Sequence, residues 1–347
     1  MKRSAPPKLR LLSLGVGVQS SALLLLSAQG AVPRFDYALF ADTGWEPAVV
    51  NRHLERLEGV AAGAGITIRR VSVGNIRHDA LDERHRFASM PLFIAKTDGS
   101  LGMARRQCTS EYEVLPLKRQ ARRLLGYPHT ARVPWGVYAE QAIGISTDEF
   151  HRAKDADVAC LCNVFPLLDI GWTREDCRAY LAVHGLGDTP KSACIGCPYR
   201  SNVSWALLRA EEPEAFADAV EFDAAIRHGH PAATMRGMPL EGTFYLHPAR
   251  IPLGEVELGE EAEAGERGAR RGPARVRSAT GRSGERGRVR AFGRRGACEP
   301  APTRGRWSWS RSHWRRPRRS WRSGTGTWGR RAGTSSASGS GMPTGCW

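Results

Sequence analysis

The sequence predicts an α/β fold with a doubly wound, mostly parallel sheet and helices on both faces. Three apolar runs with the character of buried strands alternate with helix-forming segments near the N-terminus. The strand-like runs are residues 9–14, 36–41 and 66–73, and the helical segments are 22–26 and 48–60. This β-α-β-α-β order is typical of a parallel sheet, because each parallel connection has to cross a face of the sheet.

The turn after the first strand is the predicted phosphate-binding loop. Residues 15–21 read Gly-Val-Gly-Val-Gln-Ser-Ser and lead into a helix-forming run. Glycines let the backbone approach an anion, and a helix N-terminus offers free N–H groups. The turn has no lysine and carries Ser20 where a dinucleotide-binding loop has its third glycine, so it matches neither common phosphate-loop pattern.

A secretory signal is the alternative interpretation of the N-terminus. Residues 1–10 are basic and an apolar run follows. Polar residues 19–21 interrupt that run, and a second strand follows where a β-α-β unit would place it. We therefore expect a cytoplasmic protein with a disordered segment at residues 1–8. The sequence has no run of 18 apolar residues, so no membrane association is expected.

The positive charge of the chain is concentrated at its C-terminal end. The formal net charge is +16, and residues 261–347 contain 21 Arg, no Lys and 5 Glu, which accounts for all of it. The same segment has six of the ten Trp and neither Leu nor Ile. Without aliphatic residues it cannot bury a core, so residues 258–347 are predicted to be a disordered tail that follows a folded domain at 9–257.

Two interpretations of this tail stay open. Interleaved Arg and Trp could bind nucleic acid through phosphate neutralisation and base stacking. A GC-rich gene read out of frame past about residue 258 would give the same composition, and the absence of Lys favours this second interpretation.

Six of the eight cysteines lie in the predicted domain, in a pattern that suggests metal chemistry more than disulfides. Cys194 and Cys197 form a C-x-x-C pair, and Cys108 could supply a third thiolate to an iron–sulfur cluster or zinc. Cys160 or Cys162 is the candidate fourth ligand. We expect the thiols to lie at helix starts, which would lower their pKa.

The rest of the domain is predicted to contain one long loop, two strand-like segments and four helices. Residues 75–103 are polar and are predicted to be a long loop near the site. Strand-like segments are expected at 137–145 and 163–168. Thr173 and Asp176 have the spacing of a capping box at the start of a helix. The predicted helices are 111–125, 173–184, 203–210 and 213–227.

Several motifs occur in the order found in phosphoadenosine phosphosulfate (PAPS) reductases. Residues 15–21 resemble the S-G-G-x-D-S pyrophosphate loop of the adenine nucleotide α-hydrolase (PP-loop) superfamily. Asp42-Thr43-Gly44, followed by Glu46, resembles the D-T-G stretch after the second strand of these enzymes.

Four further stretches extend the resemblance over residues 9–201. Residues 106–108 with 115–118 resemble the family's C-C-x-x-R-K-x-x-P-L region, and residues 144–149 with Arg152 resemble its G-I-R-x-D-E-S-x-x-R stretch. Residues 165–180 resemble the segment that follows in the family, and residues 194–197 resemble its C-x-x-C pair.

The chain also departs from the family pattern. The loop has Gly15, Val16 and Gln19 where the family has Ser, Gly and Asp, and Cys108 stands alone where some relatives have two cysteines. We find no C-terminal E-C-G-L-H, which carries the nucleophilic thiol of the reductases. The catalytic nucleophile is therefore not identified.

The resemblance implies an enzyme that binds ATP or a sulfonucleotide. The reaction would be adenylation-coupled sulfur transfer or sulfonucleotide reduction, with Mg²⁺ near the phosphates, an acceptor that could be a nucleic acid, and a homodimer as the assembly. The alternative is a non-catalytic, zinc-containing, nucleic-acid-associated protein that uses the basic tail. The implied nucleotide-binding residues are Ser13, Gly15, Gly17, Gln19, Ser20, Ser21, Asp42, Thr43, Gly44, Gly144 and Arg152.

Overall fold

The structure is a computed structural model that describes residues 6–85, 90–128, 130–230, 234–235, 238–239 and 242–258. The predicted tail lies outside the described residues from position 259 onward, as do residues 1–5.

The described strands, in chain order, are β1 (Leu9–Ser13), β2 (Tyr37–Asp42), β3 (Thr67–Ser72), β4 (Phe93–Ala95), β5 (Leu101–Met103), β6 (Ala139–Ile143), β7 (Leu161–Val164), β8 (Thr234–Met235), β9 (Met238–Pro239) and β10 (Thr243–Tyr245). The described α-helices are α1 (Val18–Ala28), α2 (Ala48–Gly63), α3 (Ile76–Leu81), α4 (Leu115–Leu124), α5 (Pro166–Asp169), α6 (Arg174–Val183), α7 (Asn202–Glu211) and α8 (Pro213–Ala225). A π-helical turn, Thr109–Val114, precedes α4, and short 3₁₀ turns occupy Thr147–Arg152 and Leu253–Glu255.

The central sheet has five parallel strands in the order β3-β2-β1-β6-β7, which confirms the predicted α/β class. β1 lies in the middle, where Leu12 pairs with Ala38 of β2 and with Ala142 of β6. Leu11 and Leu12 are both fully buried. A strand buried on both faces needs apolar residues at consecutive positions, and this explains the unbroken apolar run in β1.

The order of the strands reverses on either side of β1. The chain runs from β1 to β2 and β3 on one side, and returns to β6 and β7 on the other. Ligands of open parallel sheets bind beyond the carboxyl ends of strands at such a reversal. The fold therefore places the loops after β1 and β6 next to each other at the expected edge.

Helices cover both faces of this sheet. On one face, α1, α2 and α6 pack in a single cluster that includes Leu24, Leu54 and Leu181. On the other face, Leu117 of α4 packs with Leu11 and other residues of the strands. The doubly wound arrangement predicted from the alternating pattern is thus present.

A second layer contains α7, α8 and a small antiparallel sheet in the order β10-β4-β5. Its core holds Trp205, Phe222 and Phe244, all fully buried. The prediction of a long loop over residues 75–103 is wrong, because α3, β4 and β5 lie there. β4 and β5 are each three residues long, and β4 pairs both with β5 and with β10 from the far end of the domain, so no local periodicity marks them.

Most of the other predicted elements are confirmed with small shifts. Thr173 and Asp176 form the predicted capping box at the start of α6. The expected extended segment at 163–168 is only partly right: the strand is Leu161–Val164, and a short helix starts at Pro166.

The start of α2 is capped from a distant part of the chain. The Glu212 carboxylate, between α7 and α8, accepts hydrogen bonds from the N–H groups of Ala48 at 2.7 Å and Val49 at 2.8 Å. The side chain of Thr43, just before this helix, bonds Glu46 and does not cap it. A carboxylate at a helix N-terminus is favourable because it meets both free N–H groups and the positive end of the dipole.

Within the described part of the chain, no helix is long and apolar enough to cross a membrane.

Asp223 is predicted to be a main stabilising residue of the second layer. Its carboxylate is 1% exposed, pairs with Arg227, and accepts from the N–H groups of Leu246 at 2.7 Å and Leu253 at 3.1 Å. Asp223→Ala leaves these donors unpaired and should lower the free energy of unfolding by about 3 kcal/mol or more. Urea denaturation tests this, with the exposed Glu214 of the same helix as control. A loss no larger than that of Glu214→Ala would contradict the prediction.

Candidate functional site

The loop after β1 leads into the uncapped N-terminus of α1. Gly17 precedes α1 in an extended conformation, and no side chain caps the helix. The first N–H groups of an α-helix lack intrahelical acceptors, so the start of α1 carries partial positive charge. Gly15 and Ser13 line a cavity at this point.

Val16 holds the loop in the backbone conformation that glycine usually adopts. Its φ is +57°, in the left-handed region, and its side chain is fully buried. A β-branched residue there costs about 1–2 kcal/mol relative to a right-handed conformation. The chain thus keeps a glycine-type turn although it lacks the glycine, and apolar burial of the valine offsets the strain.

The polar side chains at the start of α1 bond to the protein itself. Ser20 Oγ donates to the carbonyl of Gly17 at 3.1 Å, and Ser21 Oγ lies 3.1 Å from Nε2 of buried His53. Gln19 Nε2 is 3.5 Å from Ser146 Oγ and 3.4 Å from Glu149 Oε2. Anion binding by this loop would therefore depend mainly on backbone N–H groups.

Gly144 joins the loop after β6 to the start of α1. A Cβ added at Gly144 would lie 2.9 Å from the backbone nitrogen of Ser20, so only glycine allows this approach. Arg152, from the same region, pairs with Glu149 at 2.8 Å and has a side chain that is 59% exposed. Gly144 supports the loop, and neither residue lines the cavity beyond β1.

That cavity has a volume of about 420 Å³ and lies beyond the carboxyl ends of β1 and β2; we call it the β1–β2 cavity. It brings together residues from the sheet, from the segment before α4 and from the C-x-x-C region. The lining includes Ser13, Gly15, Phe40, Thr43, Glu46, Ile76, Met90, Arg106, Cys108, Glu113, Lys191, Cys194, Cys197 and Tyr199.

Thr43, Glu46 and Cys194 form a polar cluster on the cavity wall. Thr43 Oγ1 donates to Glu46 Oε1 at 2.7 Å and lies 3.3 Å from Cys194 Sγ. Cys194 Sγ lies 3.7 Å from the same Glu46 oxygen. Burial raises the pKa of Glu46, and the hydrogen bond from Thr43 partly opposes this shift. Burial likewise raises the pKa of Glu113 across the cavity.

Asp42 and Gly44 shape the turn after β2. Asp42 Oδ1 accepts from the Gly44 N–H at 2.8 Å, and Asn75 Nδ2 donates to the Gly44 carbonyl at 2.6 Å. Gly44 has φ +74°, and a Cβ there would lie 2.9 Å from Asn75 Cα. Direct contact of Asp42 or Gly44 with a nucleotide or Mg²⁺ stays a prediction.

The three predicted metal-ligating cysteines, Cys108, Cys194 and Cys197, line the one β1–β2 cavity, although 86 residues separate the first two. The expectation of lowered thiol pKa values is wrong for two of them. Burial raises the pKa of Cys108 and, more strongly, that of Cys194, where nearby Glu46 adds to the shift. Desolvation disfavours the thiolate and outweighs any effect of a nearby helix start.

The described residues contain no group of three or more His, Cys, Asp or Glu side chains placed to hold a metal ion. The three thiols share a cavity but are not arranged as a metal site. Cys160 and Cys162, the candidate fourth ligands, are buried at β7 and do not line the cavity. Cys160 packs with Leu11 and Leu117 in the core.

Arg200 fixes the C-x-x-C turn and was not recognised in the sequence. It is 6% exposed and donates to the carbonyls of Ala193, Cys194 and Ile195 and to Ser204 Oγ, at 2.9 to 3.1 Å. These partners are neutral, and burial lowers the pKa of the guanidinium. The only sequence signal is its position just after the C-x-x-C pair, which does not distinguish it from a surface arginine.

Trp45 holds the same turn from the β2 side. The Ile195 N–H donates to the Trp45 carbonyl at 2.8 Å, and Trp45 Nε1 donates to Asp218 at 2.6 Å. A Cβ at Gly196 would lie 2.0 Å from the Trp45 ring. The glycine between the two cysteines is thus required by this contact.

The structure defines an α/β protein with a cavity at the carboxyl edge of a parallel sheet. No protein-family model matches the chain, and no curated protein sequence matches it. One similar solved structure is a phosphoadenylyl-sulfate (PAPS) reductase from Candida auris in a phosphate complex. It is 14% identical, with a TM-score of 0.32, over 54% of this chain and 76% of that one. A likeness at this level carries no argument about the function of this chain.

Gly196→Ala should destabilise the protein, because the new methyl group has to displace the Trp45 ring or the turn. We expect a loss of about 1–3 kcal/mol in the free energy of unfolding. Gly59→Ala is the matched control, since a Cβ at Gly59 in α2 meets nothing within 4 Å. The control should gain up to about 1 kcal/mol. Equal stability of the two variants in urea denaturation would refute the proposed contact.

Proposed function

We propose that this chain is an adenine-nucleotide-binding enzyme similar to the PAPS reductase-like members of the PP-loop superfamily. The observation that carries the proposal is the β1–β2 cavity. In it the glycine loop after β1, the turn after β2 and three cysteines lie around one space of about 420 Å³. That volume falls within the range of about 300–1,000 Å³ typical of small-molecule sites.

The cavity has two kinds of surface that suit a nucleotide. Leu14, Phe40 and Met90 provide an apolar part that could contact a purine ring. Arg106 and Lys191 provide cations that could neutralise phosphate or sulfate oxygens. Gly15 brings the loop that leads into the start of α1 to this cavity, and the partial positive charge of that helix end favours an anion nearby. A nucleotide would place its base on the apolar side and its charged end towards α1.

Two reactions fit such a ligand. With ATP, an acceptor oxygen would attack the α-phosphorus, form a new P–O bond and release pyrophosphate, which gives an adenylated acceptor. With a sulfonucleotide, one thiolate would attack the sulfur, an S–S bond would form as the S–O bond breaks, and the nucleoside phosphate would leave. A second thiol would then displace sulfite and form a disulfide, so the two thiols supply the two electrons. In either case the residues proposed here bind and orient the nucleotide, and the nucleophile is not assigned.

Nucleotide binding is tested by calorimetry with adenosine, ATP and adenosine 5′-phosphosulfate. Arg106→Ala removes a cation from the cavity and should weaken binding of the charged ligands about tenfold while leaving adenosine affinity unchanged. Gly15→Val fills space at the loop and should weaken the binding of all three ligands.

Arg119, on the exposed face of α4, provides the control. Arg119→Ala should bind each ligand as the unchanged protein does. Absence of binding by the unchanged protein, or ligand affinities in Gly15→Val and Arg106→Ala equal to those of the unchanged protein, would overturn the proposed function. A preference of at least tenfold between ATP and the phosphosulfate would choose between the two reactions.

We also propose that Cys108, Cys194 and Cys197 hold an iron–sulfur cluster. In the described residues the three thiols do not form a group placed to hold a metal ion, so ligation would need them to rearrange. The support is their shared cavity and the softness of thiolate ligands, which suits iron–sulfur clusters and zinc. We derive no catalytic step through a metal.

Metal and sulfide analysis after anaerobic purification tests this ligand set. We expect iron with acid-labile sulfide in the unchanged protein, and loss of most of it when any one of the three cysteines is replaced by serine, because a hydroxyl is a poor substitute for a thiolate. Cys160→Ser, a core substitution away from the cavity, should keep it. Zinc without sulfide would favour the alternative function, a zinc-containing nucleic-acid-associated protein. Absence of both iron and zinc would exclude the three-cysteine metal site.

A further inference from the structure

A second cavity lies beside the first, between α1 and α6, and we call it the α1–α6 cleft. Its volume is about 290 Å³. Lys191 lines both this cleft and the β1–β2 cavity. The segment around Lys191 passes over the start of α1, where a Cβ at Gly17 would lie 3.7 Å from Ser192 Cβ. One short stretch of chain therefore separates two cavities at the same helix N-terminus.

The rim of the cleft is strongly cationic. Arg174, Arg178 and Lys191 line it, against the single lining carboxylate of Glu175. Glu175 lies 3.8 Å from Arg178, a long contact between a side chain 81% exposed and one 58% exposed. Such an exposed pair contributes little, so the arginine can turn towards a ligand.

The other polar groups near the rim have partners of their own. Asp148 accepts from the backbone N–H of Arg174 at 2.7 Å, and Thr189 Oγ1 donates to the Leu186 carbonyl at 2.7 Å. Lys191 Nζ is 3.5 Å from the Tyr199 carbonyl. The cleft thus keeps a net positive rim, and the partial charge at the start of α1 adds to it.

The floor of the cleft is apolar. Val18, Leu181 and Leu186 line it, and each of them is at least nine-tenths buried. A cationic rim over an apolar floor suits a ligand with a phosphorylated end and an apolar body. A purely ionic surface would lack such a floor, and a purely apolar pocket would lack the three cations.

We propose that the α1–α6 cleft binds the phosphate group of a second, phosphorylated substrate. This inference rests on the proposed function, because it takes the β1–β2 cavity as the place of the nucleotide. Lys191, which borders both cavities, would then lie between the phosphates of the two ligands.

The test is calorimetric titration of the full-length protein with inorganic pyrophosphate at low salt. Arg174→Ala and Arg178→Ala each remove a cation that lines only the cleft, so each should weaken pyrophosphate binding three- to tenfold. Arg178→Lys keeps the charge and should recover most of the affinity. Arg119→Ala is the control and should bind pyrophosphate as the unchanged protein does.

Adenosine binding is measured in the same variants to separate this proposal from the proposed function. It should be unchanged in Arg174→Ala and Arg178→Ala. Pyrophosphate affinities within twofold of the unchanged protein in both variants would overturn the cleft as a phosphate site, even if adenosine binds. If the unchanged protein does not bind adenosine but the two variants lose pyrophosphate affinity, the result would support the anion site in the cleft. It would refute nucleotide binding in the β1–β2 cavity.

Discussion

The contact between the turn after β2 and the C-x-x-C turn is the constraint on which the rest of the structure depends. It consists of the Ile195–Trp45 backbone bond and the Trp45 ring lying against Gly196. Trp45 also donates a hydrogen bond to Asp218 of α8, and its ring lies tilted against that of Phe222, with the ring centroids 4.8 Å apart. Through Trp45, the turn after β2 fixes the second layer to the edge of the parallel sheet, and residues of both layers line the β1–β2 cavity there.

Arg200 shows how a buried charge can serve this junction without a carboxylate. Burying a guanidinium costs several kcal/mol unless its donors are satisfied. Three carbonyls of consecutive residues accept from it, and its guanidinium lies 5.5 Å from the Trp205 ring centroid. The arginine makes the cysteine turn rigid and orients its carbonyls inwards, so the thiols of Cys194 and Cys197 face the cavity.

The sheet could be predicted from sequence because its strands are apolar and alternate with amphipathic helices. β4 and β5 could not, because they are short and β4 pairs with β10 about 150 residues later in the chain. The three cysteines suggested by the resemblance line one cavity, and their role as metal ligands stays a prediction. The direction of the thiol pKa shifts could not be predicted from the sequence, because it depends on burial, which the spacing of the cysteines does not reveal. Ser21 is a similar case: only the structure shows that its hydroxyl meets His53.

The cap on α2 has a consequence for the order in which the protein can fold. The Glu212 carboxylate reaches Ala48 across 164 residues, and the central strand β1 gains its second neighbour only when β6 pairs Ala139 with Leu9. A chain synthesised from its N-terminus first exposes β1 as an edge strand and α2 as an uncapped helix. β1 therefore stays an edge strand until residues 139–143 have been synthesised, and an unpaired strand edge is a site for association with other chains during that interval.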